Sequence, residues 1–384
     1  MADTIKVGLI GYKFMGKSHS NAYRQVAAFF DAPLRPEMTV LCGREEAAVS
    51  AAAAQMGWKE YATDWRKVVE RQDIGLIDIS TPGDTHYDIA MAAAEAGKNI
   101  LCEKPLANSL DQARRMQEAV ERAGVVAMVN FNYRRVPAVQ LAKQLIDSGR
   151  IGEIRHWRAV YLQDWIVDPE FPLVWRLQKD LAGSGALGDI GAHIADLARF
   201  LVGEIEEVNG LLTTFVKERP LPAETTGLSA SASTQRGQVT VDDASLFLAR
   251  FANGAVGSFE ATRFAPGRRN HNSFEINGSR GSLVFDLERM NELQYFSLDD
   301  PPEAQGFRTI LVTEPVHPYM SAWWPAGHII GWEHTFTHSV FDLLNGIAKK
   351  QSPAPTFADG VRVQAILDAV ERSSEGGGWV RPEY

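Results

Sequence analysis

The stretch that decides the fold is Ile5-Lys6-Val7-Gly8-Leu9-Ile10-Gly11-Tyr12-Lys13-Phe14-Met15-Gly16. An apolar, strand-like run ends at Gly11 and a helix-like segment begins at about Met15, which is the setting of the Gly-x-Gly-x-x-Gly dinucleotide fingerprint. In that fingerprint the first glycine makes a tight turn, and the free N–H groups of the helix N-terminus can hold a pyrophosphate. Lys13 stands where the fingerprint has its middle glycine, so an ordinary strand–helix turn is the alternative. The candidate cofactor contacts here are Gly11, Lys13, Phe14 and Met15.

Four more apolar runs follow in the first third of the chain and alternate with helix-like segments. The predicted strands are Thr39–Cys42, Leu76–Ser80, Asn99–Cys102 and Val125–Val129, and the predicted helices between them include Glu45–Met56, His86–Ala96 and Leu110–Ala123. Apolar strands that alternate with helices predict a doubly wound parallel sheet with helices on both faces. Ligands of such sheets bind beyond the carboxyl ends of the strands.

The remainder of the chain has the pattern of an antiparallel sheet. Asn253-Gly254 and Asn277-Gly278 each separate two strand-like runs, and Asn-Gly supplies the positive-φ turn of a hairpin. We therefore predict an α/β Rossmann domain over residues 1–130 and an α+β domain with an open, mostly antiparallel sheet over residues 131–384. The Ser/Thr/Ala/Gly/Pro-rich segment Thr213–Asp243 is predicted to be a long loop, either functional or disordered. The final helix, 358–372, is a candidate to pack back on the first domain.

The tip of the second strand bears on the choice of cofactor. In NAD-binding folds this strand ends in an acid that accepts hydrogen bonds from the ribose hydroxyls, but here it ends Cys42-Gly43-Arg44. Arg44 could pair with a 2′-phosphate or stack on adenine. The sequence therefore favours NADP and leaves NAD open, with a solvated arginine as the alternative.

Glu103-Lys104-Pro105 lies at the carboxyl end of the fourth predicted strand. A partly desolvated lysine at such a tip can hydrogen-bond a reacting hydroxyl and favour its deprotonation. Pro105 is a candidate for a cis peptide bond, which would fix the turn. A surface salt bridge made by Glu103 is the alternative interpretation.

A glycine-rich run, Gly183–Gly188, leads into a helix that carries Asp189 and His193. The two side chains are four residues apart and share one helix face. A carboxylate and an imidazole on one face can bind a polyol and move its proton. Asp196 could orient the imidazole. The alternative is an exposed helix face with a capping aspartate.

Composition excludes several classes of protein. The 384-residue chain has a formal net charge of −9, which argues against a nucleic-acid binder. No apolar run approaches the ~20 residues that cross a bilayer, so we expect no membrane association. The only cysteines, Cys42 and Cys102, lie in apolar strand-like segments, and the N-terminus shows no signal peptide; both features fit a reducing cytoplasm. No metal is predicted.

Together these segments resemble the Gfo/Idh/MocA family of NAD(P)-dependent sugar and polyol oxidoreductases over nearly the whole chain. The motifs that carry the resemblance are Val7–Gly16 with Lys17-Ser18-His19, Thr81-Pro82 with His86, Glu103-Lys104-Pro105, Asn130–Arg135, Trp175-Arg176, Gly183–His193 and Asp359-Gly360. The resemblance implies that Lys104, Asp189 and His193 are the catalytic set. The further cofactor contacts that it implies are Thr81, Pro82, His86, Glu103, Lys104, Asn132, Trp175 and Arg176.

The stretch from Asn132 to Arg176 is particularly similar to the levoglucosan dehydrogenase-type members of that family, which oxidise the C3 hydroxyl of a pyranose. The resemblance implies that His193 takes the hydroxyl proton while Lys104 hydrogen-bonds the same oxygen. Asp189 would hold a neighbouring hydroxyl or orient the base. The predicted sugar contacts, besides these three, are Tyr133, Gln163, Trp165 and Arg176. Aromatic faces stack on sugar C–H surfaces, although core packing is an equal alternative for Trp165 and Trp175.

Two other functions stay open at this point. The family includes glycosidases and epimerases that recycle a tightly bound NAD without net turnover, and it includes ligand sensors without catalysis. Retention of Lys104, Asp189 and His193 argues against a sensor. The resemblance also implies a homodimer or homotetramer, and a small sugar is the partner that we expect.

Overall fold

The computed structural model describes residues 3–226 and 229–384, which form two compact units. The first unit runs to Asn132 and also contains Trp332–Gln364, and the second comprises Tyr133–Gly331 and Ala365–Tyr384. The division after Asn132 lies two residues from the boundary predicted at 130/131. Residues 332–364, which were predicted in the second domain with only the final helix as a candidate to pack on the first, belong to the first unit, and the rest of that helix, from Ala365, belongs to the second.

The first unit contains six parallel strands whose order marks a ligand-binding edge. They are β1 (Asp3–Ile10), β2 (Leu34–Cys42), β3 (Glu60–Ala62), β4 (Leu76–Ile79), β5 (Asn99–Cys102) and β6 (Ala127–Val129). They pair in the order β3-β2-β1-β4-β5-β6, which confirms the predicted doubly wound sheet. The order reverses between β1 and β4, so these two strands flank the switch point at which such folds bind ligands.

Helices cover this sheet and account for its apolar strands. They are α1 (Phe14–Phe29), α2 (Glu46–Met56), α3 (Trp65–Glu70), α4 (His86–Glu95) and α5 (Leu110–Ala123). Strands that are buried on both faces need apolar side chains throughout. Val7, Leu9, Leu41 and Ile77 are accordingly 0% exposed.

The second unit is built on an eight-stranded mixed sheet, as predicted. Its strands and those of a separate hairpin are β7 (Ile154–Leu162), β8 (Ile205–Thr213), β9 (Glu218–Thr226), β10 (Ser229–Gln238), β11 (Ala244–Phe251), β12 (Val256–Thr262), β13 (His271–Gly278), β14 (Gly281–Asp286), β15 (Glu292–Ser297) and β16 (Arg308–Leu311). The order in the large sheet is β16-β15-β14-β13-β7-β12-β11-β8. Its pairings between described residues are antiparallel except for the parallel pair β7–β12. Its helices are α6 (Pro137–Asp147), α7 (Lys179–Ala182) and α8 (Ala192–Leu201).

The turns of the second unit confirm one sequence pattern and correct another. Asn253-Gly254 joins β11 to β12, and Gly254 has the positive φ, +87°, that the turn requires. Asn277-Gly278, predicted as a second such turn, instead forms the end of β13 without a positive φ, and the chain turns at Ser279 and Arg280 before β14. The predicted loop Thr213–Asp243 is wrong over most of its length, because β9 and β10 pair as an antiparallel hairpin. Residues 227 and 228 of that segment lie outside the described residues.

Two late helices complete the fold. They are α9 (His334–Lys349) and α10 (Phe357–Gly376). The ring of Phe30, which follows α1, lies 4.6 Å from that of Phe341 of α9, and a Cβ on Gly360 of α10 would lie 2.8 Å from the Leu106 side chain. These contacts place residues 332–364 in the first unit. Among the described residues, no helix is long and apolar enough to cross a membrane.

Candidate active site

The turn between β1 and α1 can take its tight shape only because its two outer glycines lack side chains. Gly11 has φ +106°, and a Cβ on it would lie 2.5 Å from the carbonyl oxygen of Ser80. A Cβ on Gly16 would lie 2.0 Å from the carbonyl oxygen of Gly11. Lys13 is the N-cap of α1 and makes no side-chain cap hydrogen bond, so the N–H groups of the first helical turn remain for a ligand. The turn therefore fits the predicted cofactor.

The aromatic side chains beside this turn have defined positions. The exposed ring of Phe14 stacks on that of Trp332, with their centroids 5.4 Å apart. Tyr12 lies over Gly43 at the tip of β2, where a Cβ would come within 2.3 Å of the tyrosine ring. A side chain in place of Gly43, such as the acid that is usual at this strand tip, would therefore meet the Tyr12 ring. Arg44, next along the chain, is exposed.

His86 joins two turns at the carboxyl edge of the sheet. Its ring nitrogens lie 2.9 Å from the carbonyl oxygen of Thr81 and 3.0 Å from that of Pro105. The ring is 1% exposed, and burial lowers the pKa of His86. Pro82 lies in the first of these turns, and the Lys104–Pro105 peptide bond is cis. The predicted cofactor contacts of Thr81, Pro82 and His86 stay predictions.

The Glu103 carboxylate is committed to protein groups. One oxygen lies 2.9 Å from Nε2 of His19 and accepts a hydrogen bond from Asn130 Nδ2 at 2.6 Å. The other accepts from the backbone N–H of Lys104 at 3.2 Å. Glu103 is 4% exposed, so it holds the turn that presents the half-buried Lys104. Asn132, a further predicted cofactor contact, is buried and donates to the Thr335 hydroxyl at 2.9 Å.

In the second unit, Asp189 lies in a π-helical turn, Leu187–Gly191, that runs directly into α8. Short π-helical insertions are frequently found at functional sites. His193, in the first turn of α8, is 5% exposed, and its ring centroid lies 4.4 Å from that of Tyr133 and 5.9 Å from that of Tyr161. Asp196 accepts two hydrogen bonds from the Arg134 guanidinium, at 2.6 and 2.8 Å, and its role in orienting His193 stays a prediction.

A chain of side-chain hydrogen bonds extends from these tyrosines. The Tyr133 and Tyr161 hydroxyls are 2.8 Å apart, and Tyr161 donates to Asn270 Oδ1 at 2.7 Å. Gln163 donates to the same oxygen at 2.9 Å, and Trp165 donates to Gln163 Oε1 at 3.0 Å. Three predicted sugar contacts, Tyr133, Gln163 and Trp165, therefore belong to one network. Sequence reasoning missed Tyr161, although strand alternation places it on the same face as Gln163.

Asp242 fixes the backbone that leads into the π-helical turn. Its carboxylate accepts hydrogen bonds from the N–H groups of Gly185, at 2.6 Å, and Leu187, at 2.8 Å. A Cβ on Gly185 would lie 1.8 Å from the Asp242 carbonyl oxygen. Burial raises the pKa of Asp242, while these backbone N–H groups and Arg263 oppose the rise. No local pattern distinguishes this residue in the sequence.

Two arginines share the charge of Asp189. Arg263 is 0% exposed, and its guanidinium lies 3.5 Å from the Asp189 carboxylate. The Arg176 guanidinium lies over the Trp175 ring, 4.4 Å from its centroid. Burial lowers the pKa of Arg176, and the Asp189 carboxylate opposes this while Arg263 adds to it. The second unit thus gathers a carboxylate, an imidazole, two guanidiniums and several hydroxyl and amide groups.

One group of potential metal ligands lies at the start of β13. Nδ1 of His271 is 3.3 Å from an Asp286 oxygen and 3.6 Å from a Glu288 oxygen. The two carboxylates already accept backbone N–H groups, from Glu288 and Asn270 respectively, and Glu288 is exposed. These contacts account for the cluster as part of the loop structure, and we assign no ion to it.

Comparison with known proteins identifies both halves of the chain. Residues 5–131 match the family described as "Oxidoreductase family, NAD-binding Rossmann fold", and residues 139–284 match the GFO/IDH/MocA C-terminal domain. A levoglucosan dehydrogenase from Pseudarthrobacter phenanthrenivorans is 46% identical over 98% of this chain and 97% of its own length. An inositol 2-dehydrogenase from Rhizobium meliloti is 27% identical over 96% of this chain and 97% of its own.

Solved structures agree with this assignment. An oxidoreductase domain protein from Kribbella flavida is 55% identical and has a TM-score of 0.95, with both chains covered in full. A levoglucosan dehydrogenase in complex with NADH and levoglucosan is 46% identical and has a TM-score of 0.94, with 99% of this chain and 100% of that one covered. The chain therefore belongs to the Gfo/Idh/MocA family of NAD-binding oxidoreductases.

Proposed function

We propose that this oxidoreductase oxidises a ring hydroxyl of a sugar, a sugar derivative or a cyclitol, with NAD as the hydride acceptor. The observation that carries the proposal is the network from Trp165 to Tyr133, whose last ring lies against the imidazole of His193. Hydroxyl and amide groups joined in this way can donate to and accept from the several hydroxyls of one ring. The relatives named levoglucosan dehydrogenase and inositol 2-dehydrogenase support the same substrate class.

In this proposal each residue has one task in the oxidation. His193 takes the proton of the reacting hydroxyl, and the Lys104 ammonium stabilises the charge that develops on that oxygen. Asp189 accepts a hydrogen bond from a neighbouring hydroxyl, and Arg263 pairs with this carboxylate at 3.5 Å. Tyr133, Gln163, Trp165 and Arg176 orient the ring. The bound dinucleotide supplies the hydride acceptor.

For the cofactor we propose NAD, with NADP as the alternative that Arg44 favours. The Tyr12 ring lies where a side chain at Gly43 would be, which gives a steric reason for the glycine at the tip of β2. The absence of an acid at this position is therefore no argument for a cofactor with a 2′-phosphate. The relative whose complex holds NADH supports this choice.

The first experiment follows nicotinamide reduction with NAD and NADP against levoglucosan, inositols and aldohexoses. We expect turnover with at least one ring polyol and a higher kcat/KM with NAD. Lys104→Ala and His193→Ala should each lower kcat by about 100- to 10,000-fold while NADH binding survives. Lys59→Ala, an exposed lysine of the first unit, is the control and should keep turnover.

Three outcomes would contradict the proposal. Near wild-type turnover in both Lys104→Ala and His193→Ala would remove the assigned roles. Purified protein that carries nicotinamide and cleaves a glycoside without added cofactor would replace net oxidation by cofactor recycling. Binding of a ring polyol without turnover of any polyol in the panel would indicate a sensor in place of an enzyme.

The carbon oxidised is proposed to be C3, by resemblance to the levoglucosan dehydrogenase type. A substrate deuterated at C3 should react more slowly than the unlabelled one and should transfer its deuterium to the reduced nicotinamide. Transfer only from a different labelled position would correct the assignment.

We also propose that the chain forms a homo-oligomer through the outer face of the eight-stranded sheet. Leu246 of β11 lies directly opposite Leu211 of β8, and both are exposed, as is Leu248. Leu246→Glu should lower the mass measured by light scattering, whereas Leu298→Glu, also at an exposed leucine, should not. A monomeric wild-type chain would contradict the proposal.

A further inference from the structure

His19 lies at the centre of a buried network in the first unit. It is the fourth residue of the run Gly16-Lys17-Ser18-His19 on α1, and its side chain is 1% exposed. Its Nδ1 lies 2.8 Å from the Asp78 carboxylate of β4, and its Nε2 lies 2.9 Å from the Glu103 carboxylate that follows β5. One ring therefore bridges two carboxylates from neighbouring strands.

The bridge requires both ring nitrogens to carry protons, since ionised carboxylates only accept hydrogen bonds. Burial alone would lower the pKa of His19, but the charges and hydrogen bonds of Asp78 and Glu103 outweigh it and raise the pKa to about 10. His19 is thus an imidazolium at neutral pH. It compensates two negative charges that would otherwise be buried without a cation.

The groups that face His19 come from every element packed around it. Tyr23, on its own helix, donates to Asp78 at 2.7 Å. Ser80 donates to the other Asp78 oxygen at 3.1 Å, and Asn130, after β6, lies against both His19 and Glu103. From α9, the Phe336 ring lies 5.4 Å away, and it carries no charge. The charged groups around the bridge are therefore Asp78, Glu103 and, beyond Glu103, Lys104, while burial holds the nearby Cys102 thiol neutral by raising its pKa.

Glu103 connects this bridge to the proposed chemistry. One of its carboxylate oxygens faces His19, and the other accepts from the backbone N–H of Lys104. A change at the first oxygen therefore reaches the peptide group from which the Lys104 side chain extends. Displacements of about 1 Å in a catalytic group can cost on the order of 100-fold in rate.

We propose that His19 is a positioning residue for Lys104: by bridging Asp78 and Glu103, it fixes the carboxylate that holds the Lys104 backbone. This inference rests on the proposed role of Lys104. It gives a buried, unexposed residue a defined effect on the chemical step, separate from cofactor binding.

The principal test compares His19→Gln with Tyr23→Phe in the full-length protein, using NAD and the best substrate from the panel. The glutamine amide can donate to one carboxylate but cannot bridge both. We expect kcat to fall by about 10- to 100-fold in His19→Gln while the dissociation constant of NADH stays nearly unchanged. Tyr23→Phe is the matched control, because it removes one hydrogen bond to Asp78 and leaves the bridge intact, and it should keep the wild-type kcat.

The pH profile separates positioning from a merely structural role. In the wild type, burial raises the pKa of Glu103, but His19, Asn130 and Lys104 hold it below its usual value. Without His19 the burial effect remains, so the pKa of Glu103 rises and its carboxylate is protonated at higher pH. The kcat of His19→Gln should therefore gain an acid limb at a pH where the wild type is still fully active. Tyr23→Phe should show no such limb.

Glu103→Gln keeps the inference testable if His19→Gln does not fold. The glutamine amide imitates the protonated form of Glu103 at every pH. The kcat of this variant should therefore be low throughout, and its pH profile should show no added acid limb. In the double variant, the loss should be close to that of Glu103→Gln alone, because both changes act through one contact.

Two results would overturn the inference and one would overturn its premise. His19 would have no positioning role if His19→Gln kept the wild-type kcat and pH profile, or if Glu103→Gln kept the wild-type kcat. If Lys104→Ala is inactive in the same experiments, the proposed function still stands. Wild-type turnover in Lys104→Ala would instead show that the proposed function itself has failed.

Discussion

The two units support their proposed reactive groups by different means. In the first unit, a full positive charge on His19 lies between two buried carboxylates, and one of these holds the Lys104 turn. In the second unit, the Asp242 carboxylate holds the approach to Asp189 through two backbone N–H groups. The first support depends on a protonated imidazole, whereas the second depends on a carboxylate that accepts from two backbone N–H groups and whose pKa burial raises.

This difference implies a division of labour. A parallel sheet brings the tips of β1, β4 and β5 to one edge. The Lys104 turn at this edge can therefore be held by side chains that lie one or two residues from a strand end. The π-helical turn has no such common edge, and it is held by a residue 57 positions away in sequence. Steric damage to the glycine turn that follows β1 should affect cofactor binding, and steric damage to the turn before Asp189 should affect turnover.

The largest expected effect comes from adding one carbon atom to a glycine in each unit. Gly16→Ala brings a Cβ within 2.0 Å of the Gly11 carbonyl oxygen and should displace the helix N-terminus that we expect to hold the pyrophosphate. Gly185→Ala brings a Cβ within 1.8 Å of the Asp242 carbonyl oxygen and should displace the turn before Asp189. We expect an NADH dissociation constant raised about 100-fold in the first, and kcat lowered about 100-fold with NADH binding kept in the second.

Gly306→Ala is the control for both variants, because a Cβ there meets nothing within 4 Å. Fluorescence titration with NADH and steady-state kinetics provide the two readouts. If Gly185→Ala loses NADH affinity as severely as it loses turnover, the two units do not divide the work in this way.

A smaller effect is expected from Asp242→Asn. The asparagine keeps one acceptor oxygen, so one hydrogen bond to a charged group is lost, at about 1.5–3 kcal/mol in the free energy of unfolding. Because that bond holds the π-helical turn, kcat should fall as well. Asp243→Asn is the matched control: Asp243 accepts from the N–H groups of Phe215 and Val216, so its loss should lower stability and leave kcat in place. Equal kcat in the two variants would contradict the role of Asp242.

The pH dependence of stability should distinguish the first unit by a further, smaller effect. The folded-state pKa of His19, about 10, lies above its ordinary value of 6.5. The contribution of protonated His19 to the free energy of unfolding is therefore complete below pH 6.5 and is lost as the pH rises towards 10. Calorimetry across this range should show Tm falling more steeply in the wild type than in His19→Gln. Parallel curves would show that His19 is not charged in the folded protein.

The smallest effect is expected at Arg44. An exposed ion pair contributes at most about 1 kcal/mol, so Arg44→Ala should lower kcat/KM with NADP by less than about tenfold. Activity with NAD should hardly change. Arg35→Ala, also exposed and on β2, serves as the control. If the ratio of kcat/KM with NADP to kcat/KM with NAD is the same in Arg44→Ala as in the wild type, Arg44 does not contact a 2′-phosphate.

The sequence allowed the first unit to be predicted almost element by element, because its signals are local. Asn99–Cys102 and Leu110–Ala123 have the predicted bounds, and the glycine turn lies where the fingerprint requires it. An apolar run followed by a glycine or a proline is sufficient to mark a strand tip in a parallel sheet.

The missed features depend on contacts between distant parts of the chain. The hairpin of β9 and β10 was predicted as a loop, since its residues are mostly small and polar and its strands are defined by pairing with each other. The roles of Asp242 and Asn270 follow only from partners that the fold brings to them. The π-helical turn lies in a segment that is buried on nearly all sides, so the sequence has no apolar stripe whose periodicity could reveal the extra residue.

The interleaving of the two units has a consequence for biosynthesis. The first unit needs Trp332–Gln364, which the ribosome makes after nearly all of the second unit. Domains usually fold one after another as they emerge from the ribosome. Here the apolar surface at Phe30 stays uncovered until Phe341, which packs against it, has been translated. A nascent chain interrupted before residue 332 would therefore leave that surface open to chaperones and proteases, even though every strand of its parallel sheet has already been translated.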